Sequence, residues 1–205
     1  MTARRALVWG QYLFLVVGFV AIGYCAIVVS EAARYQVWAR EHLGGAAYEF
    51  REASVTTQLA AAISQQRPLL SGRAPSPVGR IDIPRVHISA MVAEGTSSRV
   101  LRLAAGHIPG TALPGESGNV VLAAHRDTFF RRLGELKSGD VIRLAVPGRQ
   151  YIYSVRFADI VSPNETWVLE RSPGQSLTLV TCYPFYFVGP APKRFVIRAR
   201  RIDTE

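Results

Sequence analysis

Residues 6–30 carry no charged side chain. A helix of about 20 apolar residues is enough to cross a hydrocarbon core about 30 Å thick, so this run constrains the chain more than any other feature. Arg4 and Arg5 precede it, and Glu31, Arg34 and Arg40 follow. A cleaved signal peptide shares the basic start and apolar core. The run is longer than a usual signal core, however, and Tyr24-Cys25-Ala26 is a poor small-residue cleavage site. The expectation is an uncleaved single-pass anchor over residues 1–30. Positive charges nearly tie across the span, and the free amino terminus tips the balance toward an inside N-terminus.

The formal net charge is +9, from 24 Lys+Arg against 15 Asp+Glu. A basic surface of this kind suits anionic lipid or cell-wall polymers. Nucleic acid is a poor fit, because no basic-aromatic cluster occurs and the arginines are scattered except at Arg131-Arg132 and Arg198-Ala199-Arg200-Arg201. Residues 31–66 are rich in Ala, Gln, Glu and Arg, which favour helix. Gly44-Gly45 should divide them into two helical pieces of a stalk. Pro68, Pro75 and Pro77, with Ser and Gly, mark residues 67–79 as an extended linker. The expected organisation is therefore an anchor (1–30), a helical stalk with a Pro-rich linker (31–77) and a C-terminal domain (78–205).

Within that domain the apolar pattern has period two, as strands with one buried face require. Ile81 and Ile83 alternate with Arg80 and Asp82, and Ile142, Leu144 and Val146 with Arg143 and Ala145. Tyr151, Tyr153, Val155 and Phe157 share one face, as do Phe195, Ile197 and Ala199. Residues 129–136 can form a short helix, and His87 falls in an early strand. Turn signals recur at Pro109-Gly110, Pro114-Gly115, Gly139-Asp140, Pro147-Gly148 and Pro173-Gly174. Short strands punctuated in this way predict an all-β barrel or sandwich.

Cys182 is the one cysteine outside the apolar span, Cys25 lying within it. It cannot form a disulfide inside its own domain, and one thiol cannot build a zinc site of about four ligands. A buried bystander or a reactive nucleophile remain. On the strand Leu177–Cys182, the thiol shares a face with Thr178 and Val180, opposite Leu177 and Leu179. Arg194 lies opposite Phe195 and Ile197. If the leucines and Phe195/Ile197 face the core, Cys182 and Arg194 both point outward, and they meet if their strands are neighbours. A thiolate is the working nucleophile and is favoured by a nearby cation. His125 could supply that charge and protonate a leaving amine. Arg194 could hold a peptide backbone and stabilise an oxyanion.

Thr178-Leu179-Val180-Thr181-Cys182 resembles the T-L-x-T-C signature of sortases, the membrane-anchored cysteine transpeptidases of bacterial surfaces. Lys193-Arg194-Phe195-Val196-Ile197 resembles the segment that carries that family's arginine. Residues 119–127, Asn-Val-Val-Leu-Ala-Ala-His-Arg-Asp, are similar to the strand ending in its histidine. Gly106-His107-Ile108-Pro109-Gly110-Thr111 and Cys182-Tyr183-Pro184-Phe185 look most like class D members. The resemblance implies a closed barrel of about eight strands with short helices and an outer groove, behind the membrane helix and stalk. It implies that Cys182 attacks the Thr carbonyl of an L-P-x-T-like sorting motif on a surface-protein precursor. An amine, from a peptidoglycan precursor or a pilin lysine, would then resolve the thioacyl enzyme. His125 would be the general acid/base and Arg194 the oxyanion and substrate-positioning group. Thr181 would add a hydroxyl or backbone contact. The catalytic domain would be extracytoplasmic, tethered to membrane lipid.

His107 could line the groove or fix its loop, and Tyr183, with Phe185, Tyr186 and Phe187, could wall the peptide or pack in the core. Asp127 fits a turn or helix cap better than a partner for His125. No acidic cluster has the spacing of a calcium site, so no metal or cofactor is expected. No Asp-Pro-aromatic-Gly lid precedes the barrel, which speaks against a lidded pilin polymerase. The rival readings are another cell-wall cysteine transpeptidase or peptidase, and a non-enzymatic anchored β-domain.

Overall fold

The computed structural model describes residues 2–48 and 74–202. Eight strands close into a barrel: β1 (Pro77–Ile83), β2 (Ile88–Glu94), β3 (Ala105–His107), β4 (Gly118–Ala123), β5 (Val141–Val146), β6 (Arg149–Val161), β7 (Gln175–Tyr183) and β8 (Lys193–Arg201). Their order around the barrel is β1-β2-β3-β4-β7-β8-β6-β5. The ladders are antiparallel except β2–β3 and β4–β7. Helix α2 (Ser98–Leu103) makes the crossover that a parallel β2–β3 pair needs. Ser97 caps it, its hydroxyl accepting from the Val100 N–H at 3.4 Å. The parallel β4–β7 pair carries the C-terminal ends of both strands to the same end of the barrel.

The inner face follows the alternation. Ile81, Ile83, Val120, Leu122, Ile142, Leu144, Leu177, Leu179, Ile197 and Ala199 form one continuous core. Such side chains contribute about 1.5–3 kcal/mol each when fully buried. Phe157 departs from the expected face. A bulge between Val155 and Phe157 adds a residue to β6, which reverses the parity beyond it and leaves Phe157 45% exposed on the outside. Of the short helix expected over 129–136, only a 3-10 turn at Leu133–Glu135 forms. His87 is not in a strand: it follows a 3-10 turn at Pro84–Val86 with φ 52°, reversing the chain between β1 and β2.

Helix α1 runs unbroken over Thr2–Tyr48. The expected break at Gly44-Gly45 is absent, since a helical glycine costs only about 1 kcal/mol relative to alanine. The second helical piece of the expected stalk lies outside the described residues. Between Val8 and Ser30 the apolar side chains are largely exposed, Phe14 at 81% and Phe19 at 73% among them, as befits a helix that meets lipid. Past the span the same helix docks on the barrel. Tyr35 and Ala39 are buried against Met91, Ala93, Val100, Leu103 and Ala104, with Trp38 and Leu43 alongside. Gln36 accepts from the Met91 N–H at 2.8 Å and donates to the Leu103 carbonyl at 2.7 Å. The start of the expected stalk is therefore part of the folded domain.

Candidate active site

Three adjacent strands carry the candidate residues, and their registers decide where the side chains meet. Cys182 on β7 is the direct partner of Arg194 on β8. Arg194 is in turn the partner of Val161 on β6. Thr181 faces Phe195, a core residue, so Cys182 and Arg194 lie on the outer wall. On the other side of β7, Ala123 of β4 pairs with Val180. The Ala124 N–H donates to the Val180 carbonyl at 3.2 Å, extending the ladder by one residue. Ala124 turns into the core, and His125 is the next outward position, level with Cys182. The outer row reads His125, Cys182, Arg194, Val161, with neighbouring strands about 4.8 Å apart.

Cys182 is a free thiol of intermediate exposure. That excludes an inert, fully buried sulfur and leaves it open to a reactant. Arg194 lies half-buried and donates from Nη1 to the carbonyls of Ala191 at 3.2 Å and Lys193 at 3.0 Å. These bonds hold the guanidinium at the root of the β7–β8 loop, on the residue that the register pairs with Cys182. Among the described residues no carboxylate pairs with His125; Asp127 is exposed in the following turn.

The wall below this row is polar and nonetheless buried. Asn119 is 1% exposed, Thr178 0% and Ser176 5%. The Asn119 carboxamide donates to the carbonyls of Val168 at 3.0 Å and Glu170 at 3.2 Å, and accepts from Thr178 at 2.7 Å and Ser176 at 3.2 Å. It thus straps the β6–β7 loop across β4 and β7. Val168 and Trp167 of that loop pack on Val161, Val180 and Val196, making an apolar floor beside the thiol. Glu165, just before the loop's 3-10 turn, accepts from the Ser162 N–H at 2.8 Å and the Trp167 indole at 3.0 Å. These bonds, the backbone one first, hold its carboxyl below the usual glutamate value. On the same wall burial lowers the pKa of Arg198, whose Nη1 has no hydrogen-bond partner among the described residues.

The other candidates divide by parity. Thr181 is 2% exposed, and its hydroxyl donates to the Ala124 carbonyl at 2.7 Å. It braces the residue before His125 from inside the barrel rather than reaching the outer groove. His107 is also 2% exposed, with Nδ1 2.7 Å from a Glu94 carboxylate oxygen and Nε2 3.0 Å from the Ala112 carbonyl and 3.1 Å from the Thr111 hydroxyl. This is the loop-fixing arrangement, since burial keeps the imidazole from the groove. Tyr183 turns toward the core end, near-parallel to Phe195 and edge-on to Phe185. With Pro184, Phe185, Tyr186 and Phe187 it also lines an open depression of about 380 Å³. The Asn119 strap went unread in the sequence, because a polar residue on an alternating strand reads as facing water.

The Sortase domain family matches residues 81–202. The chain is 38% identical over 125 residues to Sortase D of Bacillus subtilis (strain 168), covering 60% of this chain and 63% of that protein. It is 29% identical over 132 residues to Sortase A of Bacillus anthracis, covering 62% of this chain and 61% of that one. The chain thus spans a little under two thirds of these relatives' length. Among solved structures, a Clostridium perfringens Sortase D5 transpeptidase superposes with TM-score 0.64 at 23% identity, covering 83% of this chain and 99% of that one, a likeness of fold. Sortase C1 of Streptococcus suis superposes with TM-score 0.58 at 30% identity, covering 63% of this chain and 75% of that one.

Proposed function

Since this chain belongs to the sortase family, we propose that it is a membrane-anchored cysteine transpeptidase whose outer-wall row performs acyl transfer. The observation that carries this reading is the register that sets Cys182 between Arg194 and His125, with an apolar floor alongside. The substrate is a surface-protein precursor with an L-P-x-T-like motif near its C-terminus. Its extended backbone lies in the groove between the β6–β7 and β7–β8 loops. The Cys182 thiolate attacks the Thr carbonyl, and the Arg194 guanidinium stabilises the oxyanion by charge-assisted hydrogen bonds. The scissile C–N bond breaks as the His125 imidazolium gives its proton to the leaving amine. The C–S bond of the thioacyl enzyme then breaks under attack by an acceptor amine of the cell envelope, such as a peptidoglycan precursor or a pilin lysine. The imidazole takes the proton that the amine sheds.

Thr181 and Tyr183 act behind the row, the first by fixing Ala124 and so the path to His125, the second by supporting the loop that walls the groove. Helix α1 spans the membrane once, with the barrel outside the cytoplasm. The test uses the full chain in detergent with peptides ending in L-P-x-T-G or L-P-x-T-A and a triglycine amine. Ligated product should accumulate, Cys182→Ala should produce none, and Arg194→Ala should produce it slower by about a hundredfold or more. Absence of both cleavage and ligation across a peptide library would overturn the reading.

A further inference from the structure

The β7–β8 loop (184–192) closely follows the nucleophile, and in its sequence, Pro-Phe-Tyr-Phe-Val-Gly-Pro-Ala-Pro, the one side chain able to donate to the loop's own carbonyls is Tyr186, which is 90% exposed. Those carbonyls turn instead toward Arg126, the residue after His125. Arg126 donates from Nη1 to the Pro184 carbonyl at 2.9 Å, and from Nη2 to the Phe187 carbonyl at 2.6 Å and the Gly189 carbonyl at 3.1 Å. Its guanidinium also sits 5.9 Å from the centre of the Phe187 ring. A planar fork can serve three carbonyls at once, whereas an ammonium is a point charge.

The loop's other fixings lie at its root: the Arg194 guanidinium donates to the Ala191 carbonyl at 3.2 Å, and the rest are apolar. Phe185 packs edge-on to Phe195 at 5.3 Å. A Cβ at Gly134 would come within 2.7 Å of the Phe185 ring, so glycine there leaves the ring its seat. Beyond Phe185 the tip is bare, with Tyr186 90% and Val188 97% exposed. Arg126 is the polar tie that joins this tip to the strand bearing His125.

We propose that Arg126 is a positioning residue: it locks the β7–β8 loop to the His125 segment and so holds one wall of the peptide groove. The part concerning the peptide rests on the transpeptidase reading above. Removing a fixed wall weakens binding of ground state and transition state alike, which raises KM and spares kcat.

The experiment compares wild type, Arg126→Ala and Arg126→Lys as full chains in detergent. Amide hydrogen exchange over residues 184–189 is read beside steady-state kinetics with an L-P-x-T-G peptide. For Arg126→Ala, loop exchange should quicken and KM rise about tenfold, with kcat within about threefold, as the loss of charge-assisted bonds at a partly exposed site allows. Arg126→Lys should recover less than half of the KM loss and should keep the chain folded if the alanine variant is not. Unchanged loop exchange, an unchanged KM, or a collapse of kcat alone would overturn the proposal. A wild-type protein inert toward peptides would overturn the transpeptidase reading instead, and loop exchange would then decide the clamp by itself.

Discussion

On β4 and β7 both faces are buried over most of their length, but by different means. The inner face holds Val120, Leu122, Leu177 and Leu179 in one apolar core. The outer face holds Asn119, Thr178 and Ser176 beneath the β6–β7 loop, joined by side-chain hydrogen bonds. Apolar packing is tolerant of direction, so it suits a core that only has to be full. Hydrogen bonds are directional, and leaving one buried partner unmatched is costly. The outer wall uses that directionality to hold a loop in one place beside Cys182. The difference separates what keeps the barrel folded from what shapes its groove.

Substitutions on the two faces should separate these roles. Leu179→Ala, on the inner face, should lower stability by about 2–5 kcal/mol through lost burial and a cavity, read from urea unfolding. Specific activity of the fraction that remains folded should change little. Asn119→Ala, on the outer face, should cost about 2–3 kcal/mol, because the Val168 and Glu170 carbonyls and two hydroxyls lose their partner. It should also raise KM for peptide as the β6–β7 loop is freed. If Asn119→Ala lowered stability as Leu179→Ala does and left KM untouched, the division of labour between the faces would fail.

The smallest effect concerns pH. The Glu165 carboxyl is held below its ordinary value by the Ser162 N–H and the Trp167 indole. A depressed folded-state pKa adds stability in full above the ordinary glutamate range and loses it as pH falls through the lower value. Protection of the amides in residues 162–169, relative to their intrinsic exchange rates, should therefore fall below about pH 4, and Glu165→Gln should flatten that dependence.

How much of this was legible in the sequence depends on the face. Ile81, Ile83, Leu177, Leu179 and Ile197 sit inside as their period-two spacing predicted. The same parity put Cys182 and Arg194 outward, though only the fold could make their strands neighbours. Phe157 was misread because a one-residue bulge is invisible to a strict alternation. Spacing leaves His107 open between lining the groove and fixing its loop, and Thr181 open to more than one contact, because it does not show that a polar side chain is buried with its bonds made inside. The docking of α1 had a readable trace: Tyr35, Trp38, Ala39 and Leu43 recur at helical spacing, a stripe fit to bury. Arg126 had none, since its partners are backbone carbonyls some sixty residues away.

The most direct test of the outer row is intact-protein mass after brief incubation with an L-P-x-T-G peptide and no added amine. Wild type should gain the mass of the peptide up to its Thr as a hydroxylamine-labile adduct at Cys182. Cys182→Ala should gain nothing, and His125→Ala and Arg194→Ala should form adduct slower by about a hundredfold or more. An adduct of equal yield in Cys182→Ala, or at any residue other than 182 in wild type, would contradict the account.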